Sequence, residues 1–284
     1  MHSQFLPDSY DNEAIVLIAG KGRYPELLSE SIRQHPIDLK LISFTDQTDP
    51  SLIDTFDPQN HRALPVGQLN ELLNTIRAFA CPYVIMAGRI DNQLLFKGMD
   101  PDPKMLNLLE NLKCQNAETI FGAFVQEIEN NGNTVLDARS FLDQHLAEEG
   151  LMTEGRIELL PEHIDYGIRT AKKIADLNIG QGIVTRKNTV LAVEAYEGTN
   201  QMLHRVRNFK TNQLVFFKTI KENQDHRFDV PVFGMTTLEL MIESNIHTAV
   251  LEKHSVILVD KEKIITKARE HKIQLIGFDP KSYN

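Results

Sequence analysis

Apolar residues in the first half of the chain follow two rhythms. The runs "AIVLIA" (14–19) and "YVIMAG" (83–88) are short and almost unbroken, as strands buried on both faces of a parallel sheet are, and "DLKLISF" (38–44) is a further strand candidate. Between them lie segments of helical period. "PELLSESIRQ" opens on Pro25, a favourable first helical residue, and "VGQLNELLNTIRAF" puts Leu69, Leu72, Leu73 and Ile76 on one face. Further helices are predicted over "KMLNLLENLKC" and "TIFGAFVQEIENNG", the latter stopped by Asn131-Gly132. Strand, glycine turn, helix and strand in repetition predict a parallel α/β layer.

Around Gly150 the stretch "EEGLMTEGRIELLPE" breaks the periodicity with Gly150, Gly155 and Pro161, and a domain boundary is placed there, giving residues 1–148 and 149–284. The second half opens with a helix, "EHIDYGIRTAKKIADLN", followed by strand runs "GIVT" and "TVLAVEAY". A helix is expected over 200–206, then a strand "LVFFKTI" and a helix "TTLELMIES". "TAVLE" and "SVILV" read as strands, "EKIITKAREH" as a helix and "IQLIGF" as a last strand. This half is α/β as well. No internal repeat or low-complexity tract interrupts it.

A chain of 284 residues, 42% hydrophobic and 24% charged, has material for one or two globular cores. With 30 basic against 39 acidic residues it carries a net charge of -9, which argues against coating nucleic acid. Cys81 and Cys114 form no paired motif and read as buried small hydrophobes, so a reducing cytoplasm fits better than a disulfide scaffold. The N-terminus has no signal-peptide pattern, and no apolar run is long enough for a membrane span. Peripheral contact with a membrane surface stays open.

Several glycine turns are placed for chemistry. Gly20-Lys21-Gly22 follows a strand and either aims backbone N–H groups and a lysine at an anion or serves only as a tight turn; the third glycine of a dinucleotide fingerprint is missing. Gly88-Arg89 ends a strand on the edge where parallel sheets gather ligands, so that Arg89 is either a ligand contact or an ordinary solvated loop arginine. In "NIGQGIV", two glycines flank Gln181, which both donates and accepts hydrogen bonds. "VEAYEGTN" ends a strand with Glu194 and Glu197, turns at Gly198 and offers Thr199 or Asn200 as a helix N-cap, a setting for a phosphate, a divalent cation or plain capping. His204 and His226 lack a metal-ligand spacing and read as solvated or packing residues.

The stretch "QDHRFDVPVFG" (224–234) reads as extended, which would put Arg227 and Asp229 on one face and hold the carboxylate ionised; the bland alternative is a structural ion pair. Pro231 makes a central strand unfavourable, and Lys218, Lys221 and Gln224 add polar groups just upstream.

Taken together, "LNIGQGIVTRKNTVLAVEAYEGTNQMLHRV" and "FFKTIKENQDHRFDVPVFGMTTLE" resemble the LpxI-type UDP-2,3-diacylglucosamine pyrophosphatases of lipid A, and hence lipopolysaccharide, biosynthesis. "VLIAGKGRYPELL" and "VIMAGRI" are similar to the glycine turns of that family's N-terminal domain. The resemblance implies an N-terminal Rossmann-like domain and a C-terminal α/β catalytic domain with the ligand site between them. It implies Mg2+-dependent hydrolysis, Mn2+ being the substitute ion, of UDP-2,3-diacylglucosamine to UMP and 2,3-diacylglucosamine 1-phosphate. The family's essential aspartate lies in an R-x-D-x-P segment and falls here on Asp229. The expected metal ligands are Asp229, Glu194 and Glu197. Substrate contacts are expected from Gly20, Lys21, Gly22, Gly88, Arg89, Gln181, Gly198, Thr199, Asn200, Arg205, Lys218, Lys221, Gln224 and Arg227. A cytoplasmic protein, peripheral on the inner membrane and compatible with a homodimer, is the expected setting.

The family's D-I-G-Q-G begins here with Asn178, its E-G-T-D ends in Asn200, and a G-D-D segment is replaced by Asn116-Ala117-Glu118. These departures sustain a rival reading, a non-catalytic or diverged nucleotide-sugar binding protein of the same fold. A nicotinamide-dependent oxidoreductase, prompted by the first glycine turn, is disfavoured by the incomplete fingerprint.

Overall fold

The computed structural model describes residues 3–91, 99–114 and 116–283. The chain divides into two compact units, Met1–Leu142 with Asp225–Asp229, and Asp143–Gln224 with Val230–Asn284.

The first unit contains β1 (Ile15–Ala19), α1 (Arg23–Ile32), β2 (Leu39–Phe44), α2 (Pro50–Ile53), β3 (His61–Leu64), α3 (Leu69–Phe79), β4 (Tyr83–Ala87), α4 (Pro103–Asn111), α5 (Ala117–Asn130) and β5 (Thr134–Val135). Its five strands pair in parallel in the order β3-β2-β1-β4-β5. β1 is buried along its whole length, which is why its sequence is a continuous apolar run and not an alternation. Leu69, Leu72, Leu73 and Ile76 form the buried face of α3, each contributing about 1.5–3 kcal/mol through burial. α1 starts at Arg23 and not at Pro25, which stands third in the helix; there too its missing N–H costs nothing, because the first four N–H groups of a helix have no internal partner. β3, with a single buried residue, lacks the apolar run that marks its neighbours and was not expected.

The second unit contains β6 (Gly150–Leu151), α6 (Pro161–Asp176), β7 (Gly182–Arg186), β8 (Thr189–Val193), α7 (Gly198–Val206), β9 (Leu214–Lys218), β10 (Val232–Phe233), α8 (Met235–Glu243), β11 (Ile246–Glu252), β12 (Ile257–Leu258), α9 (Lys261–Glu270) and β13 (Gln274–Phe278). Six strands form a mixed sheet in the order β6-β13-β11-β9-β7-β8. β13, β11 and β9 run parallel, and β7 and β8 complete that side by antiparallel pairing. The core under α7, α8 and α9 is built around Met202, Leu203, Phe216, Phe233, Leu238, Met241 and Leu251. The run "SVILV" shortens to β12, which pairs with β10 in a two-stranded sheet. Pro231 stands just before β10, where it has no ladder N–H to supply and its carbonyl accepts from Ile257 N–H at 2.9 Å.

Candidate functional site

In the first unit, β1 and β4 are adjacent, and their C-terminal ends carry the two glycine turns. Lys21 and Arg89 form an antiparallel bridge, Lys21 N–H donating to Arg89 carbonyl at 2.8 Å and Arg89 N–H to Lys21 carbonyl at 3.1 Å. The turns approach so closely that a Cβ on Gly20 would come within 2.7 Å of Arg89 carbonyl oxygen, which requires glycine there. Gly20 N–H donates to Ala87 carbonyl at 2.8 Å, and Gly22 N–H to Asp49 Oδ2 at 2.8 Å. Every N–H of Gly20-Lys21-Gly22 is thus engaged within the fold, which answers the expectation of open anion-binding N–H groups in favour of the tight turn. What the two turns present outward are the exposed Lys21 and Arg89.

The stretch 224–234 is not extended before Pro231. Asp225–Asp229 is a turn, with Asp229 N–H donating to Asp225 carbonyl at 3.0 Å. The strand alternation that would put Arg227 and Asp229 side by side is therefore lost. The guanidinium of Arg227 instead forks onto Asp225, Nε to Oδ1 at 2.9 Å and Nη2 to Oδ2 at 2.7 Å, and Nη1 reaches Glu129 Oε1 at 2.7 Å. This hydrogen-bonded guanidinium holds the Asp225 carboxyl below its ordinary range, and the two carboxylates hold Arg227 above its own. Phe228 stacks on Phe121 of α5 at 6.0 Å between centroids, and His226 carbonyl accepts from Ala138 N–H at 2.8 Å. An ion pair, a ring contact and a backbone bond thus seat the segment carrying Asp229 in the first unit, although it follows β9 in sequence.

In the second unit, residues from three loops converge at one end of β7, β8 and β9. Lys218, only 4% exposed at the end of β9, donates to Thr199 Oγ1 at 2.9 Å and lies 3.4 Å from Glu194 Oε2. Thr199 hydroxyl donates to Glu194 Oε1 at 2.7 Å. The pairing of Gly182 opposite Lys218 brings the "NIGQGIV" turn to the same place, with Thr219 N–H donating to Gln181 carbonyl at 3.0 Å. A Cβ on Gly180 would come within 2.1 Å of Glu194 carbonyl oxygen. Glycine at 180 is what lets the two loops touch.

One expectation changes here. α7 begins at Gly198, so neither Thr199 nor Asn200 is its N-cap; Thr199 lies inside the first turn, with its hydroxyl committed to Glu194 and Lys218. Glu194 and Glu197, expected as metal ligands, are held by cations of the protein itself: Glu194 by Lys218, and Glu197 by Arg205 at 2.5 Å. Its own backbone N–H and then Arg205 hold the Glu197 carboxyl below its ordinary range. Arg205, 52% exposed at its side chain, also donates to Val193 carbonyl at 3.0 Å. Among the described residues no group of three His, Cys, Asp or Glu is arranged to hold a metal ion. His204 is exposed, as read from the sequence. Cys81 is buried, its thiol pushed up to about 11 by burial, whereas Cys114 is exposed and not a core residue.

Two of the departures from the family pattern have local backbone roles. Asn116 caps α5, its side chain accepting from Thr119 N–H at 2.9 Å while Thr119 hydroxyl accepts from Asn116 N–H at 3.1 Å. Asn178 has φ 58°, a left-handed conformation that asparagine tolerates better than most residues.

The LpxI N-terminal domain family matches residues 14–145 and the LpxI C-terminal domain family matches residues 148–276. The chain belongs to the LpxI family. It is 28% identical over 278 residues to the UDP-2,3-diacylglucosamine pyrophosphatase LpxI of Caulobacter vibrioides, a match covering 93% of this chain and 97% of the relative. Residues that sequence patterning did not single out, namely Asp49, Glu129, Lys172, Asp225 and Glu252, are polar partners fixed by tertiary contacts. A carboxylate closing an apolar strand, as in "TAVLE", was the available signal for Glu252.

Proposed function

We propose that this protein hydrolyses the pyrophosphate bond of UDP-2,3-diacylglucosamine, water adding across the P–O–P bridge to give UMP and 2,3-diacylglucosamine 1-phosphate. The observation that carries this reading is the match to both LpxI domains in order, together with near full-length similarity to a relative named for that activity.

Hydrolysis of a pyrophosphate requires charge neutralisation, an oriented water and exclusion of bulk solvent. Asp229 is the carboxylate for orienting the water, held by the turn that Arg227, Phe228 and His226 seat. Arg227 serves this role through position, since both its carboxylate partners are structural. Lys218 offers a buried ammonium within a hydrogen-bonded cluster, and Lys21, Arg89, Arg205 and Lys221 are the further cations for the substrate's phosphates. Gln181, Gln224, Asn200 and Gly198 complete the proposed contacts, and Gly20, Gly22 and Gly88 serve through the turns that present Lys21 and Arg89.

A Mg2+ requirement, with Mn2+ as substitute, belongs to the same proposal. The donor set fits a cation taken up with the substrate better than a preformed cage, because Glu194 and Glu197 are already neutralised and Mg2+ is content with one or two protein carboxylates plus phosphate oxygens. Asp229 would hold it, and the ion would supply charge neutralisation on the pyrophosphate. No helix among the described residues is long and apolar enough to cross a membrane, and we place the protein on the cytoplasmic side, meeting its acylated substrate at the membrane surface.

Purified protein incubated with the diacylated UDP-sugar and Mg2+ is expected to release UMP. Tight binding without release would replace the enzyme with a nucleotide-sugar binding protein.

A further inference from the structure

Both backbone polar groups of Ile220, just beyond the end of β9, are held by one ion pair, between half-buried Lys172 and buried Glu252. Glu252, 2% exposed at the end of β11, accepts from Ile220 N–H at 3.3 Å, from the Thr219 hydroxyl and from Lys172 Nζ at 3.2 Å through Oε2. Its Oε1 accepts from Ser255 hydroxyl at 3.1 Å. Lys172, on α6, also donates to Ile220 carbonyl at 2.8 Å. Neither Lys172 nor Glu252 lies in any of the loops described above.

A buried ion pair is weak evidence for stability, because desolvating the two charges offsets most of their attraction and an apolar pair would serve the core as well. An apolar pair would not, however, grip an N–H and a C=O of the same residue. The neighbouring bonds extend the grip along the chain. Lys218 is tied to Thr199, Thr219 N–H to Gln181 carbonyl, and Glu222 N–H to Asp176 Oδ1 at 2.9 Å. The exit from β9 is thus pinned from residue 218 to 222, and three residues later the chain enters the turn that carries Arg227 and Asp229.

We propose that Lys172 and Glu252 are positioning residues for the hydrolytic reaction. They clamp Ile220, and so set where Lys218, two residues before it, is presented. This rests on the assignment of Lys218 to the substrate's phosphates made above.

The test compares the wild-type protein with the double variant Lys172→Met/Glu252→Gln and the single variant Lys172→Met. The double variant removes both charges together, so that neither is left buried alone, and is expected to fold with a melting temperature near wild type. Amide exchange at Ile220 should quicken by about tenfold, because a neutral amide oxygen accepts from its N–H more weakly than the carboxylate does. Turnover should fall by about 10²-fold with KM changed little, the scale of a misplacement near 1 Å. Lys172→Met alone frees the Ile220 carbonyl but leaves Glu252 to accept from Ile220 N–H, so turnover should fall as in the double variant in whatever fraction folds, while exchange at Ile220 changes less. Lys172→Arg, which keeps a cation with donors for both oxygens, should recover much of the turnover. Unchanged exchange at Ile220, or wild-type turnover in the folded double variant, overturns the proposal. A purely structural pair would shift only the melting temperature. If the wild-type protein releases no UMP, the functional reading fails, while the exchange measurement still decides the clamp.

Discussion

Arg227 is bound to the carboxylate two residues before it, Asp225, by two parallel N–H···O bonds of 2.9 and 2.7 Å. A fork of this kind fixes the orientation of both planes, which a single contact does not. With the third bond to Glu129 at 2.7 Å, it fastens the turn that ends in Asp229 to α5.

Arg227→Lys keeps the charge and loses the fork. Stability is expected to fall by about 1 kcal/mol, the lower end for charge-assisted bonds because the pair is partly exposed. Urea denaturation reads this directly, and an unchanged midpoint would show that the fork contributes nothing.

The same pair sets a response to acid. The folded-state pKa of Asp225 lies below its ordinary value of 3.8, so its contribution to stability is fully present above that value and is lost as pH falls through the depressed folded pKa. Asp225→Asn should flatten that acid limb of the stability profile. An identical limb in wild type and variant would assign the acid sensitivity to other carboxylates.

Asp229→Asn preserves shape and removes charge. Turnover is expected to fall by about 10²-fold or more, as for loss of a catalytic base or a metal ligand, with the melting temperature close to wild type. Near-wild-type turnover would remove Asp229 from the mechanism.

Gly180 and Gly182 both face Glu194, but at different atoms. A Cβ at 180 meets the backbone oxygen at 2.1 Å, whereas one at 182 first meets the movable carboxylate at 2.5 Å. Gly180→Ala should therefore cost about 1–3 kcal/mol, as overpacking does, and more than Gly182→Ala. Thermal melts of the two variants compare them, and the reverse order would refute the close approach at 180.

UMP release should stop in EDTA and return on addition of Mg2+, since a pyrophosphate with one available protein carboxylate calls for a hard, oxygen-binding cation. Full activity in EDTA would leave neutralisation to Lys218 and the other cations alone.

The buried strands and the amphipathic helices were legible because burial writes itself into local composition. β1, β4 and most of β9 are apolar runs, and α3 repeats its leucines at helical spacing. The glycine turns at 20, 88 and 180 were legible for the same reason, since a close backbone approach excludes every side chain. The partner of a charge is decided differently. Strand alternation paired Arg227 with Asp229, but the chain turns there, and an arginine takes whichever carboxylates the fold brings within reach, one of them 98 residues away. Along the chain Glu194 reads as a carboxylate without a cation beside it, whereas the fold brings Lys218, 24 residues downstream, to 3.4 Å from it. Local sequence determined which segments are buried and where the backbone must turn, because those are properties of neighbours along the chain. The tertiary structure alone decided which polar groups neutralise one another, because Coulomb and hydrogen-bond partners are chosen by distance in space.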